Sequence, residues 1–508
     1  MIESVVGLIA AGFAAVAIVA QPSRMRAGAM LAAVVLAPAL IAGDQWHATQ
    51  VEELRNSPML LAGALVVAGA AVALLAALIV RWPVLLPVLI IIAVPFRVPI
   101  EVGGEEANLL MPLYLVMAGG AVASAWRQWF SPEDQASAGP EAVSPSGMAA
   151  WLKPLLAASV VLFAIGLFYS DDRSVGLQNL CFFLVPFAVI FSLLIDVEWN
   201  PRRLRIVLIT IVSVALVCAL VGFVEHLTRE LLWNNTVIRT NDFHVYFRVN
   251  SLFWDPNVYG RYLALAITII AAALIWSRDR KETIFLCAVV AILWLALVTT
   301  FSQSSFIALL AGLATLAALR WSLKWVGLGL IALAAGTLLF GAVAGGLVKL
   351  DLDRLNAQSS GRADLVSGGI DLFEKRPFFG YGSGSFSTSF KEEVAGPNAP
   401  VTESHTEPIT VGAEQGIVGL VLYVALIVAA IAALGAGMRR VMPGLGGEFA
   451  ASLGRRGPPA SRAAVLAAFI AVLIHTLTYA GFLDDPITWV LIAIGYSLAF
   501  PCRATSAA

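Results

Sequence analysis

Residues 204–224 read LRIVLITIVSVALVCALVGFV, and Arg205 is the only charged side chain among them. As an α-helix rising 1.5 Å per residue, the run is about 30 Å long, the depth of a bilayer's hydrocarbon core. It lacks the period-two alternation of a barrel strand. Arg202 and Arg203 stand before it and Glu225 follows it. An apolar run of this length with a basic flank reads as a membrane span whose start faces the cytoplasm.

Similar runs recur near 4–21, 27–43, 58–80, 83–96, 107–126, 152–169 and 176–196, then 254–276, 283–302, 304–319, 325–348, 408–435, 463–480 and 487–501. Hydrophobic residues make up 59% and charged residues 13%, far from the soluble norm of roughly half and a quarter. The expected fold class is all-α: a polytopic helical membrane protein with about 12–15 transmembrane helices and a partly helical outer loop region. Pro83, Pro87 and Pro95 mark 83–96 as the short or broken member. The acidic flank of MIESVVGLIAAGF makes the N-terminal run a first span rather than a signal peptide.

Arg24, Arg26, Arg81, Arg127, Arg202, Arg203, Arg205, Arg278, Arg280, Lys281, Arg320 and Lys324 fall on one side under simple alternation, as do Arg439, Arg440, Arg455, Arg456, Arg462 and Arg503. The opposite short loops, such as VGGEEAN, SDDRS and GFLDDP, are acidic or neutral. The basic side is therefore expected to be cytoplasmic, with the N-terminus outside and the C-terminus inside. This divides the chain into an N-terminal bundle (1–224), an outer loop (225–253), central spans (254–348), a long outer loop (349–407) and C-terminal spans (408–508).

Several function classes are excluded or left without a signal. A net charge of −1 gives no case for nucleic acid. The four Cys and five His have no metal-ligand spacing, and neither a Walker A sequence nor HExxH nor GxSxG occurs. GYGSGSF follows a helix-like segment rather than a strand, which argues against a dinucleotide fingerprint.

Three side chains in the outer segments stand out, each with two readings. His405, in TESHTEPITVGAEQGIVGL, lies two residues from Glu403 and from Glu407. It suits either a helix cap or headgroup anchor, or an imidazole oriented by a carboxylate. Arg362, near a helix start in SSGRADLVSG, suits a solvated Arg paired with Asp364 or Asp351, or a forked donor to phosphate. Arg248, just before a span, suits an interfacial snorkel or the same phosphate role. The polar knot TTFSQSSF (299–306) needs packed partners or a wet cavity at its depth.

Taken together, GRADLVSGGIDLFEKRPFFGYGSGSF and SHTEPITVGAEQGIVGL resemble the signature of the O-antigen ligase and O-antigen polymerase family. There an Arg opens a helix, a Pro-x-x-Gly-x-Gly turn follows, and a His precedes a span that begins with Glu-x-Gly. Arg362, Pro377, Gly380, Gly382, His405, Glu414 and Gly416 match in order. Upstream, Arg248, Phe253, Pro256 and Asn257 are similar to the family's entry into a span. The likeness covers roughly 245–435; the first 200 residues share only a hydropathy profile. Two departures stand out: Ser302-Gln303 replaces the usual Ser-Arg, and Thr406 the common Asn.

The resemblance implies a GT-C-like glycosyltransferase of the bacterial plasma membrane, using no metal or other cofactor. It would move a glycan from a polyprenyl-pyrophosphate-linked donor to a hydroxyl of a glycan or lipid acceptor on the outer face. His405 would be the base; Arg248, Arg362 and Gln303 would meet the donor; Glu403, Glu407 and Asn257 would support them. The competing expectations are a multi-span solute transporter or channel, and a membrane scaffold without chemistry.

Overall fold

The computed structural model describes residues 2–44, 56–102, 105–130, 144–232, 237, 241, 247–321, 362–397, 404–438 and 460–501. Among these, ten helices are long and apolar enough to cross a membrane, and two shorter apolar helices accompany them. The chain is an all-α polytopic membrane protein, apart from one hairpin. Its helices are α1 (Ile2–Val19), α2 (Arg24–Asp44), α3 (Pro58–Arg81), α4 (Leu85–Ala93), α5 (Met111–Phe130), α6 (Leu152–Gly166), α7 (Arg173–Asn179) and α8 (Val185–Leu194). There follow α9 (Pro201–Thr228), α10 (Pro256–Trp276), α11 (Arg280–Thr299), α12 (Gln303–Arg320), α13 (Arg362–Lys375), α14 (Phe386–Phe390), α15 (Glu407–Leu434), α16 (Ala460–Thr476) and α17 (Pro486–Ala499).

Three of these helices begin with the same local device. Asn200, Asp255 and Asp485 each accept a hydrogen bond from a backbone N–H in the first turn, and each is followed by Pro. The side chain satisfies a donor that the helix leaves orphaned, and proline at the first position has no N–H to lose. The second and third of these caps place α10 and α17 at the functional end described below.

Burial separates scaffold from periphery. The segment Arg173–Leu194 and helix α10 are each 78% buried over their apolar window, against 11% for Leu61–Arg81. The latter therefore presents most of its apolar surface outward, toward lipid. α10 packs against α11, α12 and α16, and α8 against α1 and α17, so the core joins the N-terminal and C-terminal halves.

The basic connections gather at one end of the bundle. Arg26 is buried there, with its guanidinium 2.9 Å from Asp196 and its Nε donating to the Ala17 carbonyl. Arg203 approaches Glu198, and Arg462 donates to the Leu434 carbonyl. The opposite end joins Ser4 to the Leu167 carbonyl and Ser174 to Asp44.

The run at 83–96, expected to be short or broken, forms the nine-residue α4, about 14 Å long and too short to cross. Three other expectations need correction. An antiparallel hairpin, β1 (Val98–Val102) paired with β2 (Glu105–Leu109), stands where a plain loop was expected. The following helix starts at Met111 rather than 107. α9 continues to Thr228 and takes the first residues of the expected outer loop. The run at 325–348 lies outside the described residues, as do 349–361 and Glu403.

Candidate functional site

At the end opposite the basic connections, α15 is broken. Gly416 has φ 62° and ψ −158°, which no helix accommodates. The break frees the carbonyls of Ala413 and Glu414, and the strip after α13 uses them. Tyr381 N–H donates to the Ala413 carbonyl at 3.0 Å, and Gly382 N–H to the Glu414 carbonyl at 2.8 Å. In return, Ile417 N–H donates to the Pro377 carbonyl at 2.7 Å. The Glu414 carboxylate also accepts from Gly384 N–H at 2.9 Å and Phe386 N–H at 3.2 Å.

Close approach explains two of the glycines. A Cβ on Gly382, whose φ is +96°, would lie 2.2 Å from the Ser170 Cα; one on Gly416 would lie 2.4 Å from the Phe378 carbonyl carbon. Both positions need the left-handed region and the missing side chain together. Ser170 Oγ donates to the Ser383 carbonyl and Asp171 N–H to that of Tyr381, tying the strip to the turn after α6. Arg376 stacks 4.0 Å above the Tyr381 ring and lies 3.5 Å from Asp171. Burial raises the Tyr169 hydroxyl pKa above the usual phenol range, and that hydroxyl donates to the Phe379 carbonyl.

This clamp holds the start of α15, and His405 stands just before it. His405 is half-buried with φ 58°, a costly conformation for a residue with a Cβ. Hydroxyls on either side hold the turn: Ser404 Oγ donates to the Thr406 carbonyl, accepts from Thr406 N–H, and lies 2.6 Å from Thr410 Oγ1. The His405 ring centroid is 5.5 Å from that of Tyr479, which is 5.8 Å from that of His475.

From His475 the contacts continue to Arg248. His475 Nε2 lies 3.2 Å from Ser304 Oγ and 3.4 Å from Ser305 Oγ. Ser305 Oγ donates to the Asn257 carbonyl, while Asn257 Oδ1 accepts from Arg248 Nη2 at 3.0 Å. Arg248 Nε donates to the Thr300 carbonyl at 3.0 Å. Glu225 shapes the segment after it, accepting from Asn250 N–H at 3.2 Å and Ser251 N–H at 2.7 Å. One continuous path thus joins Arg248 to His405, and the polar knot at 299–306 is its middle.

A second ionic group borders this path. Arg261 and Asp485 form a buried ion pair, each 3% exposed. Arg261 also donates to the Gly481 carbonyl, and Gly481 N–H donates to Glu407 at 2.7 Å. Arg97 lies close enough to Asp485, Arg261 and Tyr479 to feel their charges; burial lowers its pKa and Asp485 opposes that shift. Asp485 therefore faces two guanidinium groups, and Glu407 feels the charge of one of them, Arg261.

The sequence-derived candidates fall out unevenly. Arg248, Asn257 and His405 lie on one contact path. The backbone of Arg362 opens α13, whose Gly369 and Phe373 pack on Ile409 and Gly412 of α15. Gln303 is an exposed residue at the start of α12. Glu407, expected to orient His405, instead accepts the N–H groups of Gly481 and Phe482. Arg97, Arg261, His475, Tyr479 and Asp485 were missed. A usable signal existed for Arg261, a cation within the otherwise apolar α10.

Residues 288–424 match the family model described as Wzy_C, O-antigen ligase. This match supports assignment to the O-antigen ligase/polymerase family and, with the apolar helices, a membrane enzyme that transfers glycans. It runs from within α11 to within α15 and includes Gln303, Arg362, His405, Glu414 and Gly416. No curated protein matches the chain.

Proposed function

We propose, from the O-antigen ligase domain as premise, that this end of the bundle is the outer face. There the enzyme would transfer a glycan from a polyprenyl-pyrophosphate carrier to a hydroxyl of a glycan or lipid acceptor. The carrying observation is the path from Arg248 through Asn257, Ser305, His475 and Tyr479 to His405, together with the Arg97–Asp485–Arg261 group beside it. The basic connections lie at the other end, and the Lys/Arg bias supports a cytoplasmic position for that other end.

His405 accepts the proton of the acceptor hydroxyl as its oxygen attacks the anomeric carbon. The bond from that carbon to the pyrophosphate oxygen breaks, and the carrier leaves as a pyrophosphate with added negative charge. Guanidinium groups fixed in a partly buried site stabilise that charge most where it develops. Arg248, held by Asn257 and the Thr300 carbonyl, and Arg362 at the start of α13 take this part, without a metal. An imidazole titrates near neutrality and is suited to the base role. Exposed Gln303 brings a neutral amide where the family has a cation, so the charge must come from the other arginines.

The test is transfer by the purified protein in detergent or nanodiscs, supplied with a polyprenyl-pyrophosphate-linked glycan and a glycan acceptor. Wild type should form a glycosidic product and release the carrier; the His405→Ala protein should do neither at a comparable rate. Undiminished product from His405→Ala defeats the mechanism.

A further inference from the structure

A groove with a cavity volume of about 540 Å³ runs between α4, α9, α10, α16 and α17. Its wall on α17 consists of Ile487, Val490, Leu491, Ile494 and Leu498. These recur at helical spacing on one face and extend over about 16 Å at 1.5 Å per residue. Facing them on α10 are Leu265, Ala266, Ile269 and Ala273. The lining is almost wholly apolar until Arg205, Asp279 and Glu282 at the basic end.

The opposite end carries the chemistry. There the lining residues are Val94, Tyr262 and Ile487. Each is within three positions of one member of the ionic group: Val94 of Arg97, Tyr262 of Arg261 and Ile487 of Asp485. Asp485 is ion-paired with Arg261, and Glu407 also lies within reach of the charge of Arg261. Among the described residues, the buried Arg97 Nε has no hydrogen-bond partner. A buried guanidinium nitrogen without an acceptor is costly, and an anionic oxygen would satisfy it. A single long hydrocarbon chain with a phosphate head at one end fits both features.

We infer that this groove holds the hydrocarbon tail of the lipid-linked donor, with Arg97 binding its phosphate head at the groove's outer end. The inference rests on the function proposed above and adds to it a tail site and a further head-binding residue. It commits to one chain per groove.

The experiment compares donors carrying the same glycan on a long polyprenyl chain and on a geranyl chain. Ala273 lies deep in the groove, eleven residues along α10 from Tyr262, where only the long chain reaches. Ala273→Trp should therefore lower the long-to-short ratio of kcat/KM about tenfold, as expected for losing one or two buried methylenes. Arg97→Gln should raise KM for both donors alike. A ratio unchanged by Ala273→Trp, or a KM unchanged by Arg97→Gln, overturns the inference.

Photocrosslinking keeps the question open to test even if wild type transfers neither donor, the result that would sink the function instead. A diazirine-tagged long-chain polyprenyl phosphate should label α10 and α17 peptides, and diazirine-tagged phosphatidylglycerol should not displace it. Labelling confined to other helices, or equal labelling by the phospholipid, also overturns the tail site. Melting curves of both variants exclude misfolding as the cause.

Discussion

Two neighbouring regions use the family's signature residues in opposite ways. In the clamp, Gly382, Gly416 and Glu414 act on backbone: they let the 377–386 strip enter the break in α15 and satisfy its N–H groups. Along the Arg248–His405 path, side chains contact side chains, with ring and hydrogen-bond contacts between elements far apart in sequence. The match to the O-antigen ligase model takes in the 377–386 strip, the break in α15, the Ser304–Ser305 pair and His405, while Arg248, Asn257, His475 and Tyr479 lie outside it. A motif position is therefore not evidence of chemistry by itself; Glu414 is a carboxylate occupied by two amides of the loop it holds.

The comparison predicts a graded series. The largest effect belongs to Gly382→Val, which forces a side chain into the Ser170 backbone. It should cost more than about 4 kcal/mol and leave no monodisperse protein in size-exclusion chromatography. A well-folded Gly382→Val protein would show that the clamp is dispensable. Next, His405→Ala should slow transfer by about 10²- to 10⁴-fold while its thermal midpoint stays within about 2 °C of wild type. Collapse of the midpoint would move His405 into the scaffold.

Glu414→Gln should have the reverse profile. Its amide cannot accept from both Gly384 and Phe386 as a carboxylate does, at a cost of about 1–3 kcal/mol. Differential scanning fluorimetry should show a lowered midpoint, while the turnover of folded enzyme stays within about twofold of wild type. A thousandfold loss of turnover with normal stability would make Glu414 part of the reacting site.

The smallest effect concerns Lys375 and Glu393, 2.7 Å apart and both exposed. Lys375 holds the Glu393 carboxyl below its usual range. That contribution is present above the carboxylate's unfolded pKa and disappears as pH falls through the lowered folded value. Glu393→Gln should change the midpoint at neutral pH by no more than about 1 °C, because water and salt screen such pairs. A large shift would extend the clamp to this surface.

Much of this was legible in the chain itself. Apolar runs such as 204–224 named their helices. The glycines at 380, 382 and 384 are visible in the chain, and the backbone they approach is supplied by the turn after α6, the start of α7 and the break in α15. The α4 exception follows from its prolines, which limited the helix to nine residues. The failures were pairings. Glu407 lies two residues from His405 in sequence, yet a loop 74 positions away supplies its nearest donor. The His at 475 looked like one of several scattered imidazoles, although its ring lies beside Tyr479 and the serines of the α12 start.

The sequence by itself determined that this protein lives in a membrane, which loop ends are basic, and which motif it carries. Those properties are sums over adjacent residues: hydropathy, charge and turn chemistry act within a few positions along the chain. Only the tertiary structure decided that Glu414 serves the scaffold, and that Arg97 and Arg261 share Asp485 at the head of an apolar groove. A charge inside a membrane protein takes its meaning from whichever partner satisfies it, and here those partners come from helices hundreds of residues apart.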